Sequence, residues 1–157
     1  MDLNDRLEKV EARFAINDLI QDLAAAFDAG PCAQLLRPLF TPEAVFLIDR
    51  FDRIAGREAI ATGVAGNAQR GFKWGKHYFI PPRVELSSDA TTAQATFYYW
   101  GVSTSVRERA YWIVAHYVSR LVRQDHRWQF DYLELQAQLI SNYAQGWTPL
   151  PDSFDRV

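Results

Sequence analysis

A chain of 157 residues that is 48% apolar and 23% charged reads as a single globular domain. A domain of that size buries about 68–70% of the surface its unfolded form exposes, so it needs no disulfide or metal staple. A net charge of −2 without a basic run excludes the clustered positive footprint of a nucleic-acid binder, and one cysteine, Cys32, excludes an internal disulfide.

The N-terminal stretch MDLNDRLEKVEARF is charged and amphipathic and lacks the apolar centre of a signal peptide. No run approaches the ~20 apolar residues of a membrane span, so a cytoplasmic protein with no membrane partner is expected. Residues 3–29 predict one long helix, with Leu7, Val10, Phe14, Leu19, Ile20, Leu23 and Phe27 near one side. The row Ile16, Ile20, Ala24 continues to Asp28, which places a carboxylate on the buried side of the last turn. Gly30 and Pro31 then stop the helix. A carboxylate there faces the negative end of the helix dipole, an unfavourable placement worth roughly 0.3–1 kcal/mol. Asp18 and Asp22, one turn apart on the other side, read as a solvated face, because no His or Glu joins them at ligand spacing. No metal site is expected.

AQLLRPLF predicts a short helix or turn. TPEAVFLID predicts a strand with Ala44, Phe46 and Ile48 on one side and Val45 and Leu47 on the other. FDRIAG reads as a return turn into Gly56, and REAIATGVAGNAQR as a small helix weakened by Gly63 and Gly66. GKHYFIPPRVEL is a strand whose paired prolines mark an edge or a bulge. AQATFYYWGVSTSV, AYWIVAHYVSRLVRQ and WQFDYLELQAQLIS are long strands joined by tight turns, an antiparallel meander. Residues 143–157 read as a tail after a cone of residues 1–142. Its Trp147 and Phe154 need burial across the sheet or on a neighbouring subunit. Helices first and a curved antiparallel sheet after them make an α+β layer arrangement that encloses a small-molecule pocket.

No glycine-rich phosphate loop, HExxH, CxxC or G-x-S-x-G motif is present. Cys32 reads as an inert buried thiol. Of the three histidines, His126 lies in a turn, His77 opens a strand, and His116 sits mid-strand on a face with Trp112, Val114 and Val118. A histidine in an apolar strand is ordinarily a hydrogen-bonded core residue. Asp28 and His77 are each awkward alone, and each resolves the other. A carboxylate on one imidazole nitrogen fixes the tautomer and stabilises the imidazolium, so the other nitrogen is a general base. Such a dyad suits elimination, dehydration, isomerisation or hydration.

The order of long helix, Asp, short helix, "G-R-E-A-I", "KHYF", a proline pair, "RVEL" and a meander closing "RLVRQDHRWQF" resembles the SnoaL-like branch of the nuclear transport factor 2-like (NTF2-like) families over nearly the whole chain. The resemblance implies their cone fold, a cystatin-like α+β barrel. Within that branch the chain is most similar to the scytalone dehydratase and hexachlorocyclohexane dehydrochlorinase families, whose Asp–His dyads fall on Asp28 and His77. GWTPL is similar to the dehydrochlorinase tail. The resemblance further implies a trimer, with a dimer as the other state, and a cavity faced by Phe27, Phe46, Tyr99, His116 and Ala137. Leu23 stands where the dehydrochlorinase has a lysine, Phe27 where scytalone dehydratase has a tyrosine, and FYYWGVST lacks that family's second histidine. His116 or Tyr99 is the candidate to assist in its place.

The function expected is therefore a cofactor-free lyase or isomerase of a small apolar or aromatic molecule. The alternatives are a non-catalytic binding protein of the same shape and the small subunit of a ring-hydroxylating dioxygenase.

Overall fold

The computed structural model describes residues 2–30, 32–49 and 52–147; Phe154, Pro31 and most of the GWTPL tail lie outside them. The first helix, α1 (Leu3–Asp28), is opened by a capping box in which the Asp2 and Asp5 side chains accept from each other's backbone N–H. Its core side is Ala12, Ile16, Leu19, Ile20, Leu23, Ala24 and Ala26. Ile16, Ile20 and Leu23 are fully buried, each worth roughly 1.5–3 kcal/mol relative to exposure. Leu7, Val10 and Phe14, expected on that side, are exposed together with Leu3. At 3.6 residues per turn the 3–7–10–14 row lies about opposite the 12–16–19–23 row, so one helix cannot bury both against one sheet. Asp18 and Asp22 are exposed.

A short helix α2 (Ala33–Leu36) and a 3₁₀ turn (Arg37–Leu39) lead into β1 (Phe40–Ile48). Ala44 and Phe46 of β1 are buried. FDRIAG does not simply return the chain. Asp52–Ala55 form a strand, β2, antiparallel to β1 with Phe46 opposite Ile54. Gly56, at φ +91°, then starts α3 (Arg57–Gly71), which buries Ile60, Ala61, Val64 and Ala65. The proline-bearing segment is two strands, β3 (Phe72–Phe79) and β4 (Arg83–Leu86), interrupted at the prolines and both paired with β5 (Thr92–Ser105). Prolines cannot donate to a ladder, so the break falls on the sheet's edge. β6 (Ala110–Gln124) and β7 (Arg127–Tyr143) complete the meander through a two-residue turn, Asp125–His126, both at positive φ.

The sheet order is β2-β1-β7-β6-β5-β3, with β4 also on β5. All pairs are antiparallel except β1–β7, which is parallel. The chain is thus a mixed α+β domain with helices packed on one face of an open, curved sheet. Bulges in β7 after Ala137 and near Asp131 bend the meander. The concave face carries Ala95, Phe97, Tyr99, Ala115, Tyr117, Ser119 and Leu133 under α1 and α3, and all of these are buried. Trp147 packs on Trp112 and Tyr143 of its own sheet, at 4.8 and 4.5 Å between ring centroids. None of the helices among the described residues is long and apolar enough to cross a membrane.

Candidate functional site

The site forms where the end of α1 meets the edge strand β3. Ala29 closes α1 by donating to Ala25 O, and Gly30, at φ +79°, turns the chain away, as the cap position requires. Asp28 is left pointing at β3. Its Oδ1 accepts from the backbone N–H of His77 at 2.9 Å and faces His77 Nδ1, also at 2.9 Å. Lys76 Nζ lies 3.5 Å from the other oxygen, Oδ2. The Asp28 and His77 side chains are 22% and 24% exposed, so the pair is sheltered but reachable.

Two hydrogen bonds from one residue fix this geometry. The backbone N–H holds the carboxylate at the strand, and the ring N–H follows. Nδ1 therefore carries the proton and donates it to Asp28, and Nε2 keeps its lone pair. Burial pushes the Asp28 carboxyl up. The hydrogen bonds from the His77 ring and backbone, then the charges of His77 and Lys76, outweigh burial and hold it below 3.8. The Lys76 ammonium and the two N–H donors of His77 also counter the poor position of an anion at a helix C-terminus.

Aromatic rings set the imidazole plane. Tyr99 stacks on His77 at 4.8 Å and 14°, Phe27 tilts against it at 5.0 Å, and Phe79 presents an edge at 6.3 Å. The stack depends on Gly101, which lies opposite His77 across β3–β5. The Tyr99 ring lies over it, so a Cβ there would come within 2.6 Å of Tyr99 Cζ. Burial, then the negative charge of Asp28, pushes the Tyr99 phenol far above 10, so it stays protonated and able to donate.

The other expected site residues fall less uniformly. Ala137 lies opposite Ala115, which lies opposite Tyr99, so it shares the concave row. Phe46 is 2% exposed, stacked with Phe40 at 6.5 Å, and belongs to the packed interior. His116 is not in the cavity row. It pairs with Tyr98, on the convex face, where its ring meets Tyr98 at 5.0 Å and its Nδ1 lies 3.5 Å from Gln136 Oε1. Residue parity decides this: Thr104 sits opposite Ala110, so even residues of β5 face even residues of β6, and His116 cannot share a face with Tyr99. Lys76 was not among the expected residues. Its only signal in the sequence is that it adjoins His77 on a strand whose prolines mark it as an edge. Among the described residues no group of three or more His, Cys, Asp or Glu side chains is placed to hold a metal.

Residues 8–134 match the family model of the SnoaL-like domain. No curated protein is significantly similar in sequence. Among solved structures, the chain superimposes on the type 2 form of the hexachlorocyclohexane dehydrochlorinase LinA with a TM-score of 0.85 at 22% identity, over 92% of this chain and 98% of that one. A protein from Novosphingobium aromaticivorans, assigned provisionally as a scytalone dehydratase, gives 0.77 at 18% identity over 97% and 99%. An NTF2-like superfamily protein from Salmonella enterica serovar Typhimurium gives 0.75 at 14% identity over 88% and 99%. These likenesses establish the NTF2-like fold.

Proposed function

The chain belongs to the SnoaL-like domain family, and from that premise we propose that it is a lyase or isomerase that works by general-base proton abstraction at His77. The observation that carries this reading is the 2.9 Å contact between Asp28 Oδ1 and His77 Nδ1. Nε2 takes a proton from a substrate carbon and the C–H electron pair forms the new double bond. In an elimination the leaving group departs from the neighbouring carbon with its own bonding pair. In an isomerisation the proton returns elsewhere. Asp28 stabilises the imidazolium that forms, Lys76 keeps Asp28 ionised, and Tyr99 O–H donates to the leaving or enolate oxygen. The likeness to a dehydrochlorinase and to a provisionally assigned dehydratase supports a lyase over other chemistries on this fold. The ligand is a small apolar or aromatic molecule, in keeping with the rings around His77.

The test is turnover of β-hydroxy carbonyl and β-halo compounds by the wild type, His77→Ala and Asp28→Asn. Both variants should lose at least about 10²-fold in kcat. Unchanged rates in both would remove the reading.

We further propose a homotrimer. Tyr78, Tyr98 and Trp100 stand together on the convex face at 53%, 50% and 40% exposure, an aromatic patch of the kind interfaces use. The dioxygenase small-subunit alternative draws on the same patch. Light scattering of the purified chain separates the two, since a stable homotrimer leaves that patch no larger chain to bind.

A further inference from the structure

The start of α1 contributes no side chain to the core. None of residues 2–11 is buried, and the first core residue of the helix is Ala12. An amphipathic helix is ordinarily held by the apolar face it buries. This segment is held by its capping box and by one ion pair, in which Glu8 Oε1 accepts from Arg123 Nη1 at 2.8 Å. Its apolar face is free: Leu3, Leu7, Val10 and Phe14 are 75%, 54%, 48% and 67% exposed. Single exposed apolar residues are ordinary, but four in one row are not.

The row advances in steps of four, three and four residues, the spacing at which two helices interlock side by side. It ends where Asn17 and Gln21 take the next two places. Charge is sorted along its edges. Helix geometry puts Arg6 and Arg13 on one side of the row and Glu11 and Asp18 on the other. Arg6, Glu11 and Asp18 are exposed and have no ion-pair partner among the described residues. Arg13 Nη1 donates to a neutral carbonyl, Val84 O, at 2.7 Å.

We infer that this row is a docking seam for the same helix of a second copy, running parallel to it. In a parallel pair the basic edge of each helix faces the acidic edge of the other. Arg6 then meets the partner's Glu11 and Arg13 the partner's Asp18, and symmetry repeats both contacts. An antiparallel pair sets Arg against Arg and Glu against Glu, which the charges oppose. An anionic membrane is a poor occupant, because residues 2–14 carry four acidic and three basic side chains. The seam faces away from the sheet, on the opposite side from Tyr78 and Trp100, so it joins copies that the convex patch leaves apart. Two repeats of the pattern make a short seam, so pairing depends on concentration.

The experiment is sedimentation equilibrium of the full chain, raised from about 1 µM to about 1 mM. The wild-type mass should double over that range. Leu7→Glu should hold it at the lower value, with unchanged helix content by circular dichroism. Arg6→Glu and Glu11→Arg should each self-associate at least about tenfold more weakly, because each sets like charges together in both symmetric contacts. Mixed in equal amounts they should recover the wild-type mass, since each variant then faces its opposite. Val10→Cys in a Cys32→Ser background should oxidise to a linked pair, because equivalent residues meet along the seam only in the parallel register. A wild-type mass independent of concentration, a Leu7→Glu mass that still doubles, or no recovery on mixing overturns the inference. So does a Val10→Cys chain that stays unlinked at high concentration, which would mean that the helices do not run parallel. Trp100→Glu should still pair through α1, so the seam and the convex interface stand or fall separately.

Discussion

The two faces of the β3–β5–β6 sheet are built from the same materials and end up in different states. Each is aromatic, and each carries one histidine. On the concave face His77 lies between Tyr99 and Phe27 with a carboxylate at 2.9 Å. On the convex face His116 lies beside Tyr98 with a neutral amide at 3.5 Å, the outer limit of a hydrogen bond. The difference comes from the helix. α1 covers only the concave side, and its last residue supplies the anion. Rings around an imidazole do not make a base; a fixed charge on its far nitrogen does.

The sharpest way to break the comparison is to exchange the outcomes. His77→Ala or Asp28→Asn should cost at least about 10²-fold in kcat, with wild-type secondary structure by circular dichroism. If both variants keep wild-type turnover, the faces are chemically equivalent and the distinction fails.

A smaller effect is expected where backbone space supports the base. Gly101→Ala puts a methyl into the Tyr99 ring, which must leave its place over His77. The variant should lose about 1–3 kcal/mol of stability in urea denaturation, the usual cost of overpacking. Its turnover should fall while Tyr99→Phe, which keeps the stack, stays more stable than Gly101→Ala. A fully stable Gly101→Ala would show that the ring is not confined there.

On the convex face the equivalent lever is association. Trp100→Glu places a charge among Tyr78, Trp112 and Trp100's other neighbours on an exposed surface. It should lower the oligomeric mass in light scattering and leave the monomer folded, since surface changes rarely exceed about 0.5 kcal/mol. An unchanged mass would move the interface elsewhere.

Much of this arrangement is legible in the sequence. The Ile16–Ile20–Ala24–Asp28 row and the helix stop at Gly30 are local signals, and the structure buries the first three and turns at the last. The three long strands and the Asp125–His126 turn are equally local. What escaped was long-range. The parallel β1–β7 pair joins segments more than eighty residues apart, and no periodicity reports a partner. The apolar Leu7, Val10 and Phe14 read as core because composition does not say which of two opposite stripes a sheet will cover. Lys76 escaped because its significance is its approach to Asp28, which sits at the end of α1, far away along the chain.

Acidity separates the faces through stability. Asp28 is held below 3.8 by His77 and Lys76, so the folded state binds its proton less tightly than the unfolded chain does. Its contribution is present above that value and is lost as pH falls through the lower, folded one. Denaturation midpoints of the wild type should therefore drop below pH 3.8 more steeply than those of Asp28→Asn, which has no charge to lose. Tyr99 has the opposite sign. Its raised phenol stabilises the fold up to pH 10, and that contribution is lost as pH rises further. Parallel curves for wild type and Asp28→Asn in acid would mean that the carboxylate gains nothing from its partners.

The smallest effect belongs to His116, and it tests the register itself. The loop of residues 105–109 sets Thr104 opposite Ala110, which sends His116 to the side of Tyr98 rather than Tyr99. A slip of one residue would reverse every side chain on β6 and bring this histidine to the base. With the register as it stands, His116→Ala should change stability by no more than about 0.5 kcal/mol and leave kcat at the wild-type value. The measurement is therefore informative because it is expected to show nothing. A loss of turnover approaching that of His77→Ala would place both histidines on one face, and the separation of a concave carboxylate–imidazole site from a convex aromatic patch would have to be abandoned.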